Sequence, residues 1–204
     1  MCEDEYTFVR LQLHMGYDGV RNEYNPLLPF SIDIELWGDE WSKKVGTLRG
    51  TIVPVYVNDL CYSLLDAADA ESNELRGLVQ SVWDDDAGDY RGELLDPHGH
   101  GILCLEEMTI DREYRGRNIG LIAIAQTLDV IGYGMCAAVL KSHPLTNPHL
   151  GPTDAEIAVA CKKLRAYYAR IGFVENPFAP DYMYQDLAYK KPPTPELKIP
   201  KHSA

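Results

Sequence analysis

The chain has 204 residues, 46% apolar and 25% charged, with a formal net charge of −12 at pH 7. That length is one domain able to bury a core without disulfide staples. No apolar run approaches the ~20 residues of a membrane-spanning helix, and the acidic start Met1-Cys2-Glu3-Asp4-Glu5 has no signal-peptide character.

The acidity argues against a grip on nucleic acid and is compatible with a cationic substrate. A cytoplasmic protein with no nucleic-acid or membrane partner is the expectation. The five cysteines include no CxxC pair, and Cys104 and Cys136 sit in apolar, strand-like runs, as reduced core residues do.

Residues 8–15 read as a first strand. Residues 30–37 alternate, with Phe30, Ile32, Ile34 and Leu36 on one side and Ser31, Asp33 and Glu35 on the other. That is the pattern of a half-buried antiparallel strand. Gly38-Asp39-Glu40 begins a turn, and residues 44–57 return as its partner, with Pro54 a point of interruption. The stretch between Met15 and Phe30 is rich in Gly, Asn and Pro and predicts a loop. Asn58 is a cap for a helix to about residue 70, and a second helix aligns Leu75, Leu78, Val79 and Val82. Asp84-Asp85-Asp86 and Gly88 end it, and residues 90–100 read as a polar loop or short extended piece.

The second half is denser in signal. Residues 102–110 predict a strand, 111–117 a charged turn, and 120–131 a helix apolar almost all round, hence covered on several sides. Gly132 and Gly134 stop it, and residues 135–140 form a short apolar strand. A loop over 142–152 leads to Thr153 and Glu156, a capping box. The following helix has an apolar stripe of Ile157, Ala160, Cys161, Leu164, Tyr168 and Ile171, ended by Gly172. Residues 173–174 and 182–187 are closing strands. Residues 190–204, with four prolines and four lysines, read as an unpacked extension, a docking peptide being the alternative. The element order predicts a mixed α/β or α+β fold over residues 1–189, with a flexible Pro/Lys-rich tail over 190–204.

Chemistry concentrates at Tyr114-Arg115-Gly116-Arg117-Asn118-Ile119-Gly120, between strand and buried helix. A helix N-terminus exposes unpaired N–H groups and a partial positive charge. Gly116 and Gly120 let backbone approach a bulky anion, and Arg115 and Arg117 add cationic donors. No Gly-Lys-Ser/Thr follows, so this is not a P-loop, and the spacing is not that of a dinucleotide fold.

The segment closely resembles the Arg/Gln-x-x-Gly-x-Gly/Ala signature of the GNAT superfamily of N-acyltransferases, whose typical form is Tyr-Arg-Gly-x-Gly-Ile-Gly. It departs once, with Asn118 at the middle Gly, a residue that tolerates positive φ. Downstream, Leu164 to Phe173 resembles the family's Leu-Tyr-x-x-x-Gly-Phe helix end. Two departures stand out: Cys161 falls where many members carry a cofactor-contacting Asn, and the 142–152 loop is long.

The resemblance implies a GNAT-like fold: a mixed, mostly antiparallel central sheet with helices on both faces. It implies acetyl-CoA as cosubstrate, no metal, and an amine acceptor, with a homodimer left open. It implies that Arg115, Gly116, Arg117, Asn118, Ile119 and Gly120 hold the pyrophosphate. The main chain of Met108 and Ile110 would lie beside the pantetheine arm, on a strand splayed from its neighbour, with the Met108 N–H a candidate oxyanion donor. Tyr168 would be the general acid.

Because an alkylammonium has a pKa near ~10.4, a base is needed. Glu106 and Glu107 are the candidates, Glu106 favoured. Strict alternation puts them on opposite faces, Leu103, Leu105, Glu107 and Thr109 on one and Cys104, Glu106, Met108 and Ile110 on the other. His143 and His149 are alternative bases or acceptor-mouth residues, and Tyr167 is a packing neighbour. His98-Gly99-His100 is a weak metal signal. A small-molecule amine, a protein lysine or a protein N-terminus all remain open as acceptor. A non-catalytic acyl-CoA-binding domain is the rival reading.

Overall fold

Period-two alternation makes the centre of the molecule. In β2 (Leu28–Trp37) the side chains of Phe30, Ile32, Ile34 and Leu36 are buried on one face, as predicted. It pairs antiparallel with β1 (Phe8–Met15) and β3 (Ser42–Pro54). The computed structural model describes residues 8–16, 27–55, 63–92, 94–95, 99–144, 153–187 and 193–198.

Ser63 caps α1 (Leu64–Glu71), its Oγ accepting from the Asp66 N–H at 2.8 Å. Asn58, expected in that role, lies outside the described residues. Ser72 then caps α2 (Asn73–Val82) by accepting from the Leu75 N–H at 3.0 Å. Leu75, Leu78, Val79 and Val82 are buried, each worth about 1.5–3 kcal/mol relative to exposure. The acidic run after α2 is more than a helix end. β4 (Trp83–Asp84) and β5 (Asp89–Tyr90) form a hairpin, and Asp84 Oδ1 accepts from the N–H groups of Asp86 and Ala87.

The remaining elements are β6 (Gly101–Ile110), α3 (Ile119–Val130), β7 (Ala137–Lys141), α4 (Asp154–Tyr168), β8 (Val174–Glu175) and β9 (Tyr182–Asp186). The main sheet runs β1-β2-β3-β6-β7-β9-β8. Every neighbouring pair in it is antiparallel except β6 and β7, which are parallel and joined through α3. The expected mixed, mostly antiparallel sheet flanked by helices on both faces is what the chain adopts. α1 and α2 cover one face, in a core containing Val53, Ile102, Cys104, Cys136 and Val139. α3 packs on the other, with Leu48, Leu103, Leu105 and Phe173. α3 is buried nearly all round, which its uniform apolarity predicted.

α4 departs from expectation. Its Thr153–Glu156 capping box is present, yet no α4 side chain is fully buried. Its apolar stripe is divided between two cavities. Ala160, Leu164 and Tyr168 face one, while Ile157 and Cys161 face the other. No described helix is long and apolar enough to cross a membrane.

Candidate functional site

Strand β6 is the scaffold of the site, and two irregularities shape it. The first is a β-bulge. Arg49 pairs with Glu107 but Gly50 pairs with Leu105, leaving Glu106 as the extra residue. An extra residue breaks strict alternation. Met108 and Ile110 therefore join Leu103 and Leu105 on the α3 face, not Cys104. Both glutamates fall on the opposite face together. Thr51 Oγ1 donates to Glu106 at 2.7 Å, and Arg49, two residues away along β3, pairs with Glu107. The expectation that Glu106 and Glu107 part to opposite faces is corrected by this bulge.

The second irregularity is an open edge. β7 pairs with β6 only from Ile102 to Leu105. Past Lys141 the chain stays with β9, the Ser142 N–H donating to Asp181 O at 2.9 Å. Beyond Leu105, then, β6 has β3 on one side and, among the described residues, no strand on the other. The Asp111 N–H donates to Val45 O at 2.9 Å, so Asp111 and Thr109 turn their main-chain groups toward β3. By alternation the main-chain groups of Met108 and Ile110 face the open edge. The Ile110 carbonyl there accepts from Arg115 Nε at 2.8 Å.

At the end of that edge lies the loop before α3. Gly116 has φ 79° and Asn118 φ 66°, and Asn118 is the N-cap of α3 without a side-chain cap bond. Among the described residues, the N–H groups of residues 116–120 find no acceptor. The next one, of Leu121, donates to the Tyr167 hydroxyl at 3.2 Å. Gly120 packs closely against the site, since a Cβ would come 2.8 Å from Met108 Cε and 3.2 Å from the Tyr167 hydroxyl and would push the Met108 side chain aside. Successive unpaired N–H groups beside positive-φ residues at a helix start form an anion-binding concavity.

A groove of about 540 Å³ joins the open edge to this loop. Met108, Ile110, Arg115, Gly116, Asn118, Ile119 and Gly120 line it from one side. Lys163, Leu164, Tyr167 and Tyr168 of α4 line the other, with His143 at hand. Arg117 is not in the lining. Its guanidinium stands 5.3 Å from the centre of the Tyr114 ring. Nothing in the sequence marks Lys163 as a site residue, or Tyr167 as more than a packing neighbour. Their spacing along α4 is the only hint, and which side of α4 meets the loop is a tertiary matter.

Where β6 and β7 part, a narrow cleft of about 50 Å³ brings together Glu106, Glu107, Tyr168 and His143. His143 Nδ1 lies 3.0 Å from Pro144 O. His149 lies outside the described residues. Burial raises the Glu106 carboxyl above its ordinary value of 4.5, the Thr51 hydrogen bond opposes this, and the charge of Glu74 adds to it. Glu107 is engaged by Arg49. Burial, aided by Tyr167, pushes the Tyr168 phenol up to about 12.

A second cavity, about 920 Å³, lies on the far side of α4 against β8 and β9. Cys161 faces it, away from the anion loop, as do Arg165 and Asp181. Among the described residues no group of three or more His, Cys, Asp or Glu side chains is arranged to hold a metal, and His98 is outside that set. Cys104 and Cys136 are fully buried, as expected of core residues.

Residues 193–198 differ from the unpacked extension expected of the tail. Asn118 Nδ2 donates to Glu196 O at 2.8 Å, the Lys198 N–H donates to Arg117 O at 3.0 Å, and Leu197 packs on the α3-side core.

No family model and no curated protein matches the chain. Among solved structures, the crystal structure of the KacTA-DNA complex is similar at 14% identity, over 87% of this chain and 94% of that one, with a TM-score of 0.43. Likeness at that level decides neither fold nor function.

Proposed function

We propose that this protein is an acyl-CoA-dependent N-acyltransferase of the GNAT kind, moving an acetyl group to a primary amine. The observation that carries the reading is the succession of three features along β6. An open strand edge bearing the main chain of Met108 and Ile110 runs to a concavity of N–H groups at residues 116–120, and at its other end Tyr168 lines both the groove and the adjoining cleft, which Glu106 and Glu107 also line.

Acyl-CoA is a substrate whose chemistry matches those parts. Its pyrophosphate suits the N–H groups of residues 116–120 and the Arg115 guanidinium. Its amide-containing arm suits the main-chain groups of the open edge. It supplies a thioester carbonyl, and the chain's own residues supply the rest. Glu106, with its raised pKa, takes the proton of the incoming ammonium, directly or through water. The Met108 N–H is the donor for the oxygen that gains negative charge during attack. The Tyr168 hydroxyl, protonated throughout the neutral range, gives its proton to the departing sulfur. Glu107, tied to Arg49, is the weaker candidate for the base.

The acceptor is a primary amine of a small molecule or a protein. A net charge of −12, together with Glu71 and Glu74 acting on Glu106, favours a cationic one. A cytoplasmic location belongs to the same reading, because that is where acetyl-CoA and reduced cysteines coexist.

A calorimetric titration with acetyl-CoA, followed by thiol-release assays over a panel of amines, tests this. Saturable binding that Arg115→Ala weakens, together with turnover on one amine class, is the expected result. Binding without turnover on any amine points to a non-catalytic acyl-CoA-binding domain. No binding at all overturns the reading.

A further inference from the structure

We propose that the C-terminal segment 193–198 is a strap that holds the 115–120 loop in its anion-binding form, so that tail docking and acyl-CoA binding reinforce each other. The ligand in this inference rests on the reading above; the strap itself rests on geometry.

Asn118 stands in the left-handed region, which residues other than glycine visit infrequently, and it has no local cap bond to compensate. Both ends of its amide are instead held from far along the chain. Nδ2 donates to Glu196 O at 2.8 Å, and Oδ1 accepts from Arg170 Nη1 at 3.0 Å. The next tail contact is to the adjacent residue, the Lys198 N–H donating to Arg117 O at 3.0 Å. Between those contacts, Leu197 is partly buried against the α3-side core. The segment thus grips two successive loop residues by hydrogen bonds and is itself anchored by one apolar side chain.

The choice of groups separates a strap from a cover. The tail uses a carbonyl of the loop and the side chain of Asn118. None of these contacts consumes an N–H of residues 116–120, the groups an anion would take. A segment blocking the site would compete for those donors. This one leaves them without an acceptor and fixes the residue on which their direction depends. Asparagine rather than glycine at this position also acquires a purpose, because a glycine would have no amide for the tail to read.

The test compares the full chain, a chain ending at residue 192, the full-length Leu197→Ser variant, and Asn118→Gly at both lengths. Hydrogen exchange at the start of α3, where the Leu121 N–H donates to the Tyr167 hydroxyl and the Ile122 N–H to Asn118 O, reports the hold on the loop without ligand. Calorimetry with acetyl-CoA reports the site. Losing the tail or its Leu197 anchor is expected to speed exchange of the Leu121 and Ile122 amides and weaken acetyl-CoA binding about fivefold or more, the usual scale of such coupling. In turnover the loss is expected in KM for acetyl-CoA with kcat retained, which general destabilisation would not produce. Asn118→Gly is expected to depend less on the tail than the wild type, because only the Lys198–Arg117 contact and the Leu197 anchor remain. Exchange and affinity that ignore removal of the tail overturn the strap, and tighter binding on removal makes the segment a cover. If the full chain does not bind acetyl-CoA, the acyl-CoA reading fails. Faster exchange at the start of α3 on tail removal would still uphold the strap, and unchanged exchange would sink it.

Discussion

Glu106 is where burial and chemistry meet. Its neutral form is favoured by burial and by the charges of Glu74 and Glu71. The folded chain therefore holds a proton there over a window in which the unfolded chain has lost it, and stability falls as pH rises from about 4.5 through the raised value. Glu106→Gln cannot titrate. Chemical denaturation followed against pH should show the wild type losing stability across that window relative to the variant. With Glu106 as the base of the proposed reaction, the same proton would set the acid limb of kcat/KM. That limb should lie above the ordinary glutamate range and disappear in Glu106→Gln, with turnover lower by about 10²-fold or more. Tyr168→Phe should lower kcat by a similar ~10²-fold while leaving the melting temperature near wild type, because the ring remains and only the hydroxyl is lost. For Arg115→Ala the expected result is a weaker calorimetric affinity for acetyl-CoA, by about 1–2 kcal/mol, the loss of a charge-assisted contact at a partly exposed site.

At the scale of elements, the bulge in β6 decides what those residues can do. Gly50, opposite the bulge, has the Cys104 carbonyl and the Phe30 ring where a side chain would go. Gly50→Ala should cost about 1–3 kcal/mol by overpacking, read as a lower denaturation midpoint at unchanged slope. If the bulge relaxes, Glu106 and Glu107 turn relative to each other and activity falls further than stability. Local signals made most elements legible: the alternation of Phe30 to Leu36, the uniform apolarity of α3, the Thr153–Glu156 box. Unbroken alternation places Glu106 correctly beside Cys104 but assigns residues 107–110 to the wrong faces. A bulge is set by the register against β3, and no run of residues within β6 announces it. The β4–β5 hairpin is hidden in the sequence for a related reason. An acidic run reads as solvated, yet Asp84 spends its carboxylate on backbone N–H groups in the turn.

Over the whole molecule, ligand binding and folding are linked. A ligand that binds only the folded chain raises its stability by mass action, about 2.7 kcal/mol at a hundredfold excess over Kd. Thermal unfolding should shift upward with acetyl-CoA in the wild type and much less in Arg115→Ala. The residues of the candidate site come from three separated stretches, 106–120, 143–168 and 193–198, and only folding brings them together. The sequence alone determined what depends on near neighbours. These are the strand and helix periods, the caps, and a loop of Arg115, Gly116 and Gly120 whose residue types suit an anion. Tertiary structure decided the common face of Glu106 and Glu107, the open edge carrying Met108 and Ile110, and the side of α4 that meets the loop. It also seated the tail on Asn118, from 78 residues away. Each of these is fixed by a partner distant in the chain, through strand register or a long-range hydrogen bond, and a local pattern holds no record of a distant partner.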